Sequence, residues 1–154
     1  MAIEWFYLSK KSSMQLEMFL DKCDSFDEFE RRFSDNMLKE DARVGMYLAD
    51  LLYKYDKKAS AVSEDAHLAS SYVGNIINGK KNNPSRDKLI CICFAIGTTE
   101  EELQYLLKYS GHAPLYVRRK RDVIIWYGIR KGEPLEVVDY NLTRRGLKPL
   151  IDEK

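Results

Sequence analysis

Residues 86–115 and 121–150 repeat one another at a constant offset of 35, without a gap. Ten of the thirty aligned positions are identical, among them Arg86/Arg121, Asp87/Asp122, Ile90/Ile125, Gly97/Gly132, Glu101/Glu136, Gly111/Gly146 and Pro114-Leu115/Pro149-Leu150. The shared punctuation falls where a helical hairpin needs it. A polar start is followed by an apolar run, a central glycine, a second helix, a closing glycine and a Pro-Leu exit. A chain that spells this pattern twice is expected to fold as two helical hairpins, the second packing on the first like one more repeat. The echo is architectural, and nothing in it suggests catalysis.

The rest of the chain is equally helical in its periodicity. Val44, Leu48, Leu51, Leu52 and Tyr55 fall on one helical face. Two short amphipathic segments precede it, between Met14 and Phe33, separated at Asp24-Ser25. After Ser60 to Ala66 and a short segment Ser70 to Asn78, Gly79 signals a stop. Ser85 is placed to cap the next helix, Leu89 to Ile96 is nearly continuous apolar sequence, and Gly97 ends it. That helix is expected to be the most buried. Thr98 with Glu101, or Thr99 with Glu102, forms a capping box for the helix that follows. No segment alternates for long enough to make a strand, so the expected class is all-α. Three regions are expected: an acidic helical arm (1–41), a central helical domain (42–115) and the C-terminal hairpin (116–154).

Charge and cysteine usage narrow the function classes. The net charge of +1 hides an uneven distribution: −4 over residues 1–41, +3 over 42–97 and +2 over 98–154. That permits a basic face without requiring one. Cys23, Cys91 and Cys93 lack metal-site spacing, and Cys91 and Cys93 point to different helical faces. They read as small hydrophobes in a reducing compartment, and neither a metal nor a cofactor is expected. No apolar stretch approaches the roughly 20 residues of a membrane span, and the apolar patch of Met1 to Lys11 is broken by Glu4, so a cytoplasmic location is expected. With no nucleophile elbow, phosphate-binding glycine loop or paired carboxylates, enzymatic activity is not expected. Glu100-Glu101-Glu102 reads as first-turn helix acids rather than a metal or acid-base site.

The informative stretch is Ala59 to Leu103. Two short helices joined by a tight turn, then a loop and a buried helix, are the parts of a helix-turn-helix. In Ser70 to Asn78, Val73, Ile76 and Ile77 are expected to face inward, with Ser70, Ser71, Gly74, Asn75 and Asn78 outward. Asparagine reads adenine through two hydrogen bonds, and serine donates or accepts. Lys80 and Lys81 suit phosphate contact. The candidate DNA-binding residues are therefore Ser60, Ser70, Ser71, Tyr72, Asn75, Asn78, Lys80 and Lys81.

These residues, Ser71 through Lys81, then Pro84-Ser85, Leu89 through Gly97 and Glu100 to Leu103, resemble the Cro and lambda-repressor type of helix-turn-helix protein, the xenobiotic-response-element regulators. The likeness covers roughly residues 44–110, and the segment from Gly111 onward looks like an extended bacterial subgroup. It implies a regulator that binds double-stranded DNA, as a homodimer reading two half-sites. Three positions depart from the pattern. Ala59 stands where a glutamine is common, His67 where the turn usually has glycine, and Ala69 where a polar N-cap is usual. Either Ser70 then caps the second short helix or its start goes uncapped, at a cost of about 1 kcal/mol, and His67 is expected to be a turn residue partly packed on the core.

An alternative use of the same fold is a protein-interaction module, with the arm or the C-terminal hairpin docking a partner. Trp5, Phe6 and Tyr7, or Trp126 and Tyr127, are the candidate dimer surfaces. Arg118-Arg119-Lys120-Arg121, with Arg144, Arg145 and Lys148, is either a second phosphate-contacting patch or solvated or ion-paired surface. In the second case Arg121 would pair with Asp122.

Overall fold

The structure is a computed structural model that describes residues 13–36, 44–81 and 83–152; Trp5, Phe6, Tyr7 and Asn82 lie outside the described residues. Every regular element among the described residues is helical, and the fold is all-α. The chain divides into two compact units, residues 1–42 and 43–154. No helix is long and apolar enough to cross a membrane among the described residues.

In the first unit, α1 (Ser13–Leu20) and α2 (Phe26–Phe33) are followed by a short 3₁₀ turn, Ser34–Asn36. Ser25 starts α2 by accepting from the Glu28 N–H, and Glu28 reaches back to accept from the Asp24 N–H at 2.7 Å. Phe33 packs against both Phe19 and Phe29 in tilted ring pairs, with centroids 4.9 and 5.0 Å apart. Phe26, the first residue of α2, is exposed.

The second unit holds the main core. It comprises α3 (Val44–Lys54), α4 (Ala59–Asp65), α5 (Tyr72–Ile77), α6 (Arg86–Ile96), α7 (Glu100–Tyr109), α8 (Lys120–Lys131) and α9 (Leu135–Thr143). As expected, α6 is the most buried: Leu89 through Cys93 and Ile96 are within 2% of complete burial. Both of its cysteines are buried, and burial pushes each thiol up to about 12. Ser85 caps α6, and Thr99 with Glu102 completes the capping box at α7. Gly97 and Gly132 end α6 and α8 in the left-handed conformation, at φ 86° and 68°, which is inexpensive only without a Cβ.

Glu102 is more than a first-turn acid. It is 1% exposed, and its carboxylate accepts from Lys54 Nζ at 2.8 Å, from the Tyr55 hydroxyl and from the Thr99 N–H. It thereby ties the C-terminal end of α3 to the start of α7. Burial pushes this carboxyl up, yet the hydrogen bonds from Lys54, Tyr55 and Thr99 outweigh it and hold the group below its ordinary value. The same burial and hydrogen bond push the Tyr55 phenol above its normal range.

The echo is real in three dimensions, but the second hairpin does not stack as one more repeat. The guanidinium of Arg86 grips Asp122 at 3.1 and 3.2 Å and donates to the carbonyls of Ala113 and Pro114. Arg121, its counterpart, grips Asp87 at 2.9 and 3.0 Å and donates to the carbonyls of Lys148 and Pro149, the counterparts of Ala113 and Pro114. In the same reciprocal way α6 packs on α9 and α7 on α8. Head-to-tail stacking presents a different face of each repeat, so contacts run one way only; contacts that are returned in both directions need an approximate two-fold axis. The expected pairing of Arg121 with its neighbour Asp122 is therefore replaced by a crosswise one. Adjacent side chains at a helix start diverge, whereas the axis brings each arginine onto the other hairpin's aspartate.

Candidate nucleic-acid interface

The short helix α5 is held from two sides. Gly45 of α3 lies so close to its C-terminal end that an added Cβ would stand 2.5 Å from the Ile76 carbonyl oxygen and 2.8 Å from Ile77 Cα. Only glycine admits that approach. On the other side Ser63, fully buried in α4, accepts from the Val73 N–H at 3.0 Å while donating to the Ala59 carbonyl at 2.8 Å. That bond satisfies a free N–H at the start of α5 from a neighbouring helix. Neither alternative that the sequence offers, a Ser70 cap or an uncapped start, describes this end: Ser63 supplies the acceptor, and Ser71 at the N-cap position makes no side-chain cap.

The helix itself is shorter than the sequence suggests, 72–77 rather than 70–78, with Ser70 and Ser71 in the preceding turn and Asn78 just beyond it. Val73 and Ile76 are buried as expected, whereas Ile77 is only half-buried. The turn between α4 and α5 closes with His67 at φ 62°, its N–H on the Glu64 carbonyl and the Leu68 N–H on the Ser63 carbonyl. This is a Schellman arrangement with histidine where glycine is usual. His67 does not pack on the core. It is exposed and meets Glu136 at the start of α9, Nε2 to Oε2 2.6 Å, and this bond holds the Glu136 carboxyl below its ordinary value.

The outward side collects most of the candidate residues. Ser70, Ser71 and Asn78 are exposed, and Asn75 is half-buried one turn after Ser71. Lys80 and Lys81 are exposed beyond the helix, where Asn78 Oδ1 accepts from the Lys80 N–H and the Asn75 carbonyl accepts from the Lys81 N–H. Asn78 is thus spent partly on shaping the turn. Ser60 is exposed in the first turn of α4.

Tyr72 sits at the start of α5 with two ammonium groups over its ring, Lys81 at 5.6 Å and Lys88 at 5.4 Å from the centroid. Its hydroxyl is buried and has no hydrogen-bond partner among the described residues, and burial raises its pKa. Lys88, on α6, was missed by the sequence reading. Sixteen residues separate it from Tyr72, and only the packed helices bring the two together. No periodic signal marks it.

No protein-family model, no curated protein and no solved structure matches this chain. The resemblance therefore rests on its own residues.

Proposed function

We propose that the chain is a sequence-specific, double-stranded DNA-binding transcriptional regulator in which α4 and α5 form the helix-turn-helix and α5 enters the major groove. One observation carries the reading. A short helix, braced by Gly45 and Ser63, turns a polar side (Ser71, Asn75) outward beside a cluster of three lysines, Lys80, Lys81 and Lys88. Base edges need short hydrogen-bonding side chains on a rigid helix, and phosphates need mobile cations at its margins. In this reading Asn75 and Ser71 set sequence preference. Lys80, Lys81 and Lys88 set affinity, with Ser60, Ser70, Tyr72 and Asn78 positioning the backbone. A homodimer would place two such helices about 34 Å apart, one turn of the duplex.

The test is selection from a random-duplex pool at about 50 and 200 mM salt, followed by sequencing of what is retained. An enriched motif is expected, with affinity that falls about 100-fold across that range if roughly four phosphates are neutralised. Asn75→Ala should flatten the preference at one base position at a cost of about 1–3 kcal/mol, leaving non-specific affinity unchanged. No retention at either salt would refute DNA binding and leave the same fold to be read as a protein-interaction module.

A further inference from the structure

The approximate two-fold axis exposes an imbalance. On the first hairpin, one face is fully covered: α4 lies on α6 and α3 on α7. The residues beneath include Ile92 and Ile96 of α6 and Glu102 and Leu106 of α7, all within 2% of complete burial. The corresponding positions of the second hairpin are Tyr127 and Lys131 of α8 and Val137 and Asn141 of α9. Among the described residues of the second unit, no helix covers these positions as α3 and α4 cover the first hairpin. Tyr127 is 55% exposed, Val137 41%, and Tyr140, the counterpart of half-buried Tyr105, 64%. Beside them Val117, Val123, Trp126, Tyr127 and Arg130 line a groove of about 250 Å³.

We propose that this face of the α8–α9 hairpin docks an acidic amphipathic helix of a partner protein. The geometry suits a helix, because helices cover the equivalent face of the twin hairpin. The charge decides which helix. Lys131 Nζ lies 5.5 Å from the Tyr127 ring centroid. Arg118, Arg119 and Lys120 directly follow the groove residue Val117 in the chain, and Arg144 comes one turn after Tyr140. All five are exposed and form no ion pair among the described residues. Of the carboxylates on the same hairpin, Asp122 is held by Arg86, Glu136 by His67 and Asp139 by the Leu150 and Ile151 N–H groups, which leaves Glu133 in the α8–α9 loop, beside Lys131, against five exposed cations. A second copy brought to this face around a two-fold axis would set these cations against themselves. An acidic helix matches them, and its apolar stripe covers Tyr127, Val137 and Tyr140. The proposal is independent of DNA binding by α5.

The probe is a fluorescein-labelled helical peptide of about five turns, with a leucine stripe at i, i+3, i+4 and i+7 and glutamate elsewhere. Its control carries lysine in place of glutamate, and both are titrated into the full-length chain. The acidic peptide is expected to bind and the basic one not to. Tyr127→Glu and Tyr140→Ser, both exposed and therefore tolerated by the fold, should each weaken binding at least about tenfold, as loss of an aromatic anchor does. Arg118→Glu with Arg119→Glu should do the same and should leave duplex affinity unchanged. Hydrogen exchange is expected to slow in α8 and α9 alone. The proposal is overturned by failure of the acidic peptide to bind, by equal binding of both peptides, or by indifference to Tyr127→Glu. A dimer that Tyr127→Glu dissolves would assign the face to a second copy, and weaker duplex binding by the double arginine variant would assign the rim to DNA; either result overturns it too.

Discussion

Crosswise pairing of the two hairpins makes a quantitative prediction that simple adjacency in sequence contradicts. Asp122 is 3% exposed and accepts from Arg86 twice and from the Tyr116 N–H at 3.0 Å. Asp122→Ala removes the carboxylate that, among the described residues, pairs with the Arg86 guanidinium, and strands the Tyr116 N–H as well. Breaking a buried ion pair from one side costs about 3–5 kcal/mol. Arg86 keeps its bonds to the Ala113 and Pro114 carbonyls and its side chain is 23% exposed, so the cost belongs at the lower end, about 3 kcal/mol. With a urea slope of about 1.5 kcal/mol per molar, the unfolding midpoint should fall by about 2 M. The single variant alone does not name the partner; a double-mutant cycle does. Arg86→Ala with Asp122→Ala is expected to show a coupling of about 2 kcal/mol, and Arg121→Ala with Asp122→Ala less than about 0.5 kcal/mol. The Asp87 side chain is less buried, 21% exposed, so the Arg121/Asp87 coupling should be smaller, about 1 kcal/mol. Equilibrium unfolding followed by circular dichroism at 222 nm measures all of these. A coupling between Arg121 and Asp122 as large as that between Arg86 and Asp122 would refute the reciprocal arrangement.

Further consequences are open to direct measurement. Gly45→Ala drives a methyl into the backbone of α5, which has no flexible atom to yield, so a loss of about 1–3 kcal/mol is expected in thermal unfolding; wild-type stability would show that α3 and α5 do not approach so closely. Stability should also fall on acidification. Glu102, Glu100 and Glu136 all titrate below their ordinary value in the folded chain, Glu100 chiefly through its hydrogen bond from Arg130. A depressed carboxyl contributes stability above its unfolded pKa of about 4.5, and that contribution is lost as pH falls through the folded value. The melting temperature should therefore decline below about pH 4.5, and Glu102→Gln should flatten that decline. Lys88→Ala is predicted to weaken duplex binding equally across sequences and to reduce the salt slope by about one phosphate. A change in sequence preference instead would place Lys88 on a base.

Much of the fold was legible because helix ends are written locally. Ser85, Thr99 with Glu102, Gly97 and Gly132 each act within one turn of chain, and each does in the structure what its residue type requires. Burial of Leu89 to Cys93 followed from an unbroken apolar run that no solvated helix face tolerates. The errors share one cause. Ser70 looked like the cap of α5 because the nearest hydroxyl is the obvious donor of an acceptor oxygen, yet Ser63 on another helix supplies it. A partly core-packed His67, and a pairing of Arg121 with its neighbour Asp122 should that surface be ion-paired, are the local expectations; both side chains have partners in elements far along the chain.

By itself, then, the sequence determined the all-helical class, the ends of most helices and the existence of two like hairpins, since each of these depends on interactions within a turn or a fixed period. The tertiary structure alone decided how the hairpins meet, crosswise about a two-fold axis, and which hairpin face is covered by α3 and α4 and which is left open. It alone also set Lys88 beside Tyr72 and Gly45 against α5. The physical reason is that a helix's own periodicity names the face it buries but not the partner that buries it; that choice depends on shape and charge brought together only when distant segments pack.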